Sequence, residues 1–342
     1  MTVWLISYTA RGRALAARAA DALQAAGHSC RTFALPKFCE GGDEPWELSA
    51  GAWAERGFSE ADALLFCCAS GIAVRAVAPY VKDKRTDPAV LVLDEGGQFV
   101  IPLLSGHLGG ANALAADLAK RLGAAAVLTT ATDVNGVFAV DLFAKDNGLY
   151  IEDMALAKAV SAALLAGETV GFCSDLPVEG PLPKGLTGGA AELGILVSAA
   201  DKSPFSRTLR LVPRRYAVGL GCRRGKDGTE LNAFLQENLT RCGVGIHELT
   251  ALASIDLKRD EPGLTALSRR LGVPFVTYSA EELKEAPGDF TPSAFVEAVT
   301  GVDSVCERAA VLASGGTLTV KKTAENGMTF ALAKKEEGIR FE

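Results

Sequence analysis

Residues Ser105 to Asn112 read S-G-H-L-G-G-A-N, with a histidine among glycines immediately ahead of an alanine- and leucine-rich run. This pattern suits work on an anionic or polarised oxygen. Backbone N–H groups at a helix start lack intrahelical partners and point into the preceding turn. An anion held there gains about 0.3 to 1 kcal/mol from the helix dipole. His107 adds a second donor or a general base, and the positive end of the dipole favours the neutral, basic ring. Asp133, closing the run Thr129-Thr130-Ala131-Thr132-Asp133, either orients His107 or caps the next helix, with capping preferred. His28 and His247 lie in ordinary helix-end or loop contexts.

Cations form the second chemical feature. From Lys202 to Lys226 there are eight basic side chains, Arg223 and Arg224 among them, and no acidic one. Lys82, Lys84 and Arg85 form another cluster. A charge-assisted hydrogen bond from Arg to a carboxylate contributes about 1.5 to 3 kcal/mol, so three or four such contacts suffice for micromolar binding of a polyanion. Lys258, at a strand end, is placed to meet the same kind of ligand. Asp260 before Glu261-Pro262 is expected to cap a helix, and Asp303, Ser304 and Glu307 are explained by capping and dipole rules at another.

Positioning these residues requires an α/β framework. Periodicity predicts strands over Thr2–Tyr8, Asp62–Cys68 and Ala89–Leu93, a short buried strand Phe99–Leu104, and helices over Arg11–Ala26, Ile72–Tyr80 and Ala111–Leu122. The pattern implies a Rossmann-like, largely parallel sheet with helices on both faces, residues 1–135. Sites in such sheets lie at the carboxyl ends of strands, so Ala69–Gly71, Ser105–Gly110 and Thr129–Asn135 are expected to converge. A small middle α/β unit, 136–212, carries an alanine-rich helix, Met154–Ala166, and a Pro/Gly excursion, Pro177–Gly189. Residues 213–342 restart with a strand at Tyr216–Gly221 and read as a three-layer α/β domain. It has helices near 229–241, 262–271, 292–299 and 304–313 and closes in an Asn326-Gly327 hairpin.

Composition removes several function classes. The net charge of −6 argues against a nucleic-acid binder. No stretch of about 18 apolar residues and no basic leader is present, so neither a membrane nor export is expected and the cytoplasm is the default. Eight scattered cysteines without a C-x-x-C pair indicate neither a disulfide framework nor a zinc site. Gly219-x-Gly221-x-x-x-Gly225 is one residue too long for a dinucleotide fingerprint, and no G-x-S-x-G elbow occurs.

The S-G-H-L-G-G-A-N and T-T-A-T-D segments resemble the N-terminal domain of cobalt-precorrin-5A hydrolases, the CbiG-type enzymes of anaerobic cobalamin biosynthesis. Gly219 to Gly225, Leu252 to Lys258 and Gly301 to Ala310 resemble the C-terminal domain of the same family. The resemblance implies opening of the ring-A acetate δ-lactone of cobalt-precorrin-5A with release of acetaldehyde, giving cobalt-precorrin-5B. It also implies an anionic corrinoid substrate that brings its own cobalt, with no resident metal or other cofactor. On this reading we expect His107 as base with Asp133 beside it. Substrate contacts are expected from Arg75, Arg85, Ser105, Gly106, Gly109, Gly110, Asn112, Arg223, Arg224 and Lys258, in a monomer or homodimer. The alternative is a non-catalytic corrinoid carrier, since the C-terminal half also resembles stand-alone corrinoid-binding modules.

Overall fold

Alternation along Thr2–Ser7 (β1) sends Trp4 and Ile6 to one face and Val3 and Leu5 to the other, and both faces are covered. The computed structural model describes residues 1–83, 86–107, 109–336 and 338–341. Lys84, Arg85 and Leu108 therefore lie outside the described residues. The chain forms two units, Met1–Leu142 and Phe143–Glu342.

In the first unit β1 joins Ser29–Ala34 (β2), Glu44–Pro45 (β3), Ala63–Cys67 (β4), Ala89–Leu93 (β5), Phe99–Leu104 (β6) and Ala125–Ala126 (β7) in the order β3-β2-β1-β4-β5-β6-β7. The helices are Ala10–Gln24 (α1), Ala50–Glu60 (α2), Ser70–Val77 (α3), Ala111–Leu122 (α4) and Ala131–Asn135 (α5), and Val140–Asp146 (α6) begins at the end of the unit. Leu15, Ala19 and Leu23 of α1 pack with Leu114 and Leu118 of α4 on one face, and Trp53 of α2 with Ala73 and Val77 of α3 on the other. Thr9 caps α1 by accepting the Gly12 N–H at 2.9 Å.

One strand reverses the expected plan. Five residues, Asp94–Gln98, join β5 to β6, too few for the crossover a parallel neighbour needs. The Asp94 carboxylate closes that turn by accepting the N–H groups of Gly96, Gln98 and Phe99. β6 accordingly runs antiparallel to β5, with Leu104 beside Val90 and Val100 beside Leu93. Of β6 only Val100 is buried, so it is not the buried strand expected from its apolar run.

The second unit holds two five-stranded sheets. Leu149–Ile151 (β8), Val170–Ser174 (β9), Leu186–Thr187 (β11), Leu193–Val197 (β12) and Arg207–Pro213 (β13) take the order β11-β9-β12-β13-β8, with Met154–Leu165 (α7) between β8 and β9. The proline-rich excursion carries Val178–Glu179 (β10), which pairs with the late strand Ile339–Arg340. Tyr216–Cys222 (β14), Leu249–Ile255 (β15) and Phe275–Tyr278 (β16) run parallel, and Thr317–Glu325 (β17) and Met328–Lys334 (β18) complete the order β16-β15-β14-β18-β17. Gly228–Cys242 (α8) and Pro262–Leu271 (α9) cover one face. Ala280–Lys284 (α10), Ala294–Thr300 (α11) and Val305–Ser314 (α12) follow, and Leu283 and Ala309 pack on the other. A Cβ on Gly219 would sit 1.7 Å from the Cys306 carbonyl oxygen. Gly219 is thus explained by α12 lying directly on β14, without a nucleotide. Asn326 and Gly327 both have positive φ, 47° and 76°, as the expected type I′ turn requires.

Two acidic readings change. Glu261, not Asp260, is the cap residue of α9, and Pro262 follows it at the first helical position. Glu307 does more than answer a helix dipole. It is fully buried, and its carboxylate accepts the N–H groups of Thr291 (2.5 Å) and Lys322 (2.6 Å) and the Ser304 hydroxyl, tying α12 to β17 and to the segment before α11. Among the described residues no helix is long and apolar enough to cross a membrane.

Candidate functional site

The turn after β6 folds back on itself. Ser105 takes φ 56°, an uncommon left-handed conformation for a residue with a Cβ, and its hydroxyl donates to the Asp87 carbonyl at 2.9 Å. The Gly110 N–H donates to the His107 carbonyl, Ala111 N–H to Ser105 and Asn112 N–H to Gly106, at 3.0 to 3.1 Å. These three amides, expected to face an anion, are consumed by the turn. The glycines make that closure possible. A Cβ on Gly109 would lie 2.3 Å from the Ser105 Cβ, one on Gly106 2.7 Å from Asn112 Oδ1, and Gly110 has φ 85°. Gly106, Gly109, Gly110 and Ser105 therefore shape the turn that presents His107.

His107 lies between two carboxylates. Its Nε2 is 3.2 Å from Asp133 Oδ2 and 3.1 Å from Thr132 Oγ1, and its Nδ1 is 3.3 Å from Asp141 Oδ1. Asp133 is not a cap: Thr130 occupies the cap position of α5, while Asp133 stands inside the first turn and aims at His107. Asn112, largely buried at the start of α4, donates Nδ2 to Asp133 Oδ2 at 2.7 Å and to Thr130 Oγ1 at 2.9 Å, fixing the carboxylate. Asp141, in the first turn of α6, was invisible to motif reading because it lies 34 residues from His107 in a short helix without a signature. Thr130 and Thr132 belong to the T-T-A-T-D run, where their hydroxyls are the only sequence signal.

This environment opposes the expected effect of the helix dipole on His107. The Asp141 hydrogen bond, with the charges of Asp141 and Asp133, raises His107 above its ordinary range and outweighs burial, which lowers it. A carboxylate faces each ring nitrogen, an arrangement that stabilises the imidazolium, in which both nitrogens donate. Asp141 in turn lies below its ordinary range: burial raises it, but the His107 contact and the N–H of Leu142 prevail. The contribution of His107 to stability is therefore complete below its unfolded value and lost as pH rises through its raised folded one. That of Asp141 is present above the unfolded carboxylate range and lost as pH falls through its lowered folded value. The stability margin of the native chain over His107→Gln in urea denaturation is expected to be larger near about pH 6 than near about pH 9. Equal margins would mean a neutral ring in the fold.

The other expected contacts separate. Ser105, following Leu104, sits at the amino ends of β4 and β5, whereas Ala69–Gly71 follows the carboxyl end of β4. The two loops are a strand length apart, roughly 15 Å, so the expected three-loop convergence reduces to two, the His107 turn and Thr129–Asn135. Arg75 folds back to donate to the Gly71 carbonyl at 2.9 Å, on the edge away from His107. Arg85 lies outside the described residues. In the second unit Arg223 and Arg224 are exposed in the turn after β14. Lys258 lies at the end of the neighbouring β15, but its ammonium is 2.9 Å from the Glu261 carboxylate.

Three family descriptions match successive parts of the chain: Cobalamin synthesis G N-terminal over residues 52–133, Cobalamin biosynthesis central region over 138–213 and Cobalamin synthesis G C-terminus over 216–333. A Salmonella typhimurium protein named cobalt-precorrin-5A hydrolase is 38% identical over 97% of this chain and 97% of its own. A Priestia megaterium protein of the same name is 33% identical over 81% of this chain and 79% of its own. A Sinorhizobium protein named CobE is 35% identical over 34% of this chain and 77% of its own length.

Proposed function

The chain belongs to the cobalt-precorrin-5A hydrolase family of cobalamin biosynthesis, and from that premise we propose that it opens the ring-A acetate δ-lactone of cobalt-precorrin-5A at His107, with Asp133 and Asp141 as partners. The carrying observation is the histidine held between two carboxylates at the end of β6. A protonated His107 is a source of positive charge and of a proton. It stabilises the oxygen that becomes negative as the lactone opens, and its Nε2–H, turning from Asp133 to that oxygen, delivers its proton there and frees Asp133. Asp133, held by Asn112, takes the proton of the attacking water, and Asp141 keeps the imidazolium charged and oriented. The hydroxyl so formed then loses its proton as its carbon–carbon bond to the macrocycle breaks; the oxygen pair closes the aldehyde carbonyl and the electrons of the broken bond pass into the macrocycle, so that acetaldehyde leaves and cobalt-precorrin-5B remains.

The cobalt belongs to the substrate in this scheme, and no other cofactor is called on. The peripheral acetates and propionates of the macrocycle give Arg223 and Arg224 their partners. Anaerobic incubation of the purified chain with cobalt-precorrin-5A, with acetaldehyde read by a coupled dehydrogenase, tests the proposal. Multiple turnovers support it; stoichiometric binding without aldehyde would make the chain a corrinoid carrier instead.

A further inference from the structure

The carboxyl ends of β14 and β15 lie side by side, because Gly219 pairs with Ala253 in parallel register. The turn from Cys222 to Asp227 and the 3-10 turn Asp256–Lys258 therefore leave the sheet on the same edge. Glu261 fastens them together. Its nearly buried carboxylate accepts the Gly225 N–H at 2.7 Å on the first turn and the Lys258 ammonium at 2.9 Å on the second. Burial raises the Glu261 carboxyl, but these two partners and the Arg224 charge hold it below its ordinary range. A buried carboxylate so paired neutralises Lys258, which is thereby spent as an internal counter-ion. Its neighbour is placed differently: Arg259 is exposed, and among the described residues its side chain makes one hydrogen bond, from Nε to Thr277 Oγ1 at 3.3 Å. Leu257, on the same turn, is 65% exposed.

We infer that Arg259, rather than Lys258, joins Arg223 and Arg224 as the third cation of a carboxylate-binding edge, with Leu257 as an apolar contact and Glu261 as the positioning residue that holds the two turns in register. The ligand class that fits is a flat, apolar ring with anionic groups on its rim. Arginine suits this role because its planar fork pairs with carboxylates bidentately, whereas a lysine already bound to Glu261 must first break an ion pair. This inference rests on the proposed corrinoid substrate, whose carboxylates would occupy the edge.

The test uses the full chain and two readouts: acetaldehyde kinetics with cobalt-precorrin-5A, and an absorbance titration with cobyrinic acid, a stable cobalt corrin with free carboxylates. Arg259→Glu is expected to raise both KM and Kd by about tenfold to a hundredfold while kcat stays within about threefold, and Arg259→Lys to recover part of the loss. Glu261→Ala is expected to raise Kd by loosening the turns. Lys258→Arg, which keeps a cation for Glu261 and leaves that residue untouched, is expected to change Kd far less than Arg259→Glu does. A loss in Lys258→Arg equal to the loss in Arg259→Glu, or an unchanged Kd in Arg259→Glu, overturns the assignment. Arg259-dependent corrin binding without aldehyde release would sink the hydrolase reading and leave this edge standing.

Discussion

Replacing His107 with alanine is expected to lower kcat for aldehyde release by a factor of about 10² to 10⁴, the range general acid–base groups contribute. KM should change far less, because the ring is mostly enclosed by Thr132, Asp133 and Asp141 and offers little surface for ground-state binding. His107→Gln separates charge from hydrogen bonding. It retains a donor but carries neither the positive charge nor a transferable proton, so its rate should lie close to that of the alanine variant. Asp141→Asn removes the principal cause of the raised His107 value and should move the alkaline limb of the pH–rate profile to lower pH. A fall of less than about tenfold in His107→Ala would remove this residue from the chemistry.

Charge reversal at Arg223 and Arg224 is expected to raise KM by about two orders of magnitude or more with kcat nearly unchanged. Each arginine–carboxylate contact is worth about 1.5 to 3 kcal/mol, and a glutamate in its place adds repulsion to that loss. Both side chains are exposed and form no ion pair among the described residues, although the Arg224 charge also steadies the Glu261 carboxylate, so urea denaturation of each variant checks that the fold is kept. The effect should also shrink as salt is raised, since exposed charges are screened. Steady-state kinetics at low and high ionic strength check both statements, and an unchanged KM would separate the pair from the substrate.

Several elements were legible because their ends are punctuated. α4 runs over Ala111–Leu122, as its spacing predicts, between Gly110 and Gly123, both in the left-handed region. α9 begins at Pro262 and stops before Gly272 for the same kind of reason. β2 and α2 gave weaker signals. The strand S-C-R-T-F-A is only half buried, and its Arg31 lies across the Trp4 ring at 4.4 Å, a stabilisation that apolar alternation does not register. α2 contains Gly57, unfavourable for a helix in isolation, because a Cβ there would strike Leu64 of the adjacent strand at 2.5 Å.

The sequence by itself determined the α/β class, the family resemblance, the histidine turn and the basic segment around Arg223 and Arg224, since each is a local pattern of residue types. Tertiary structure decided the rest. The antiparallel return of β6 put His107 on the opposite edge from Ala69–Gly71, a consequence of chain direction. Asp141 and Asp133 then raised His107 where the helix dipole was expected to lower it, because two carboxylates in contact with a ring outweigh a dipole whose leading amides are already bonded. In the second unit, Lys258, expected to meet a ligand, lies in an ion pair with Glu261. Protonation and pairing depend on distances of about 3 Å between groups remote in sequence, and those distances exist only once the chain has folded.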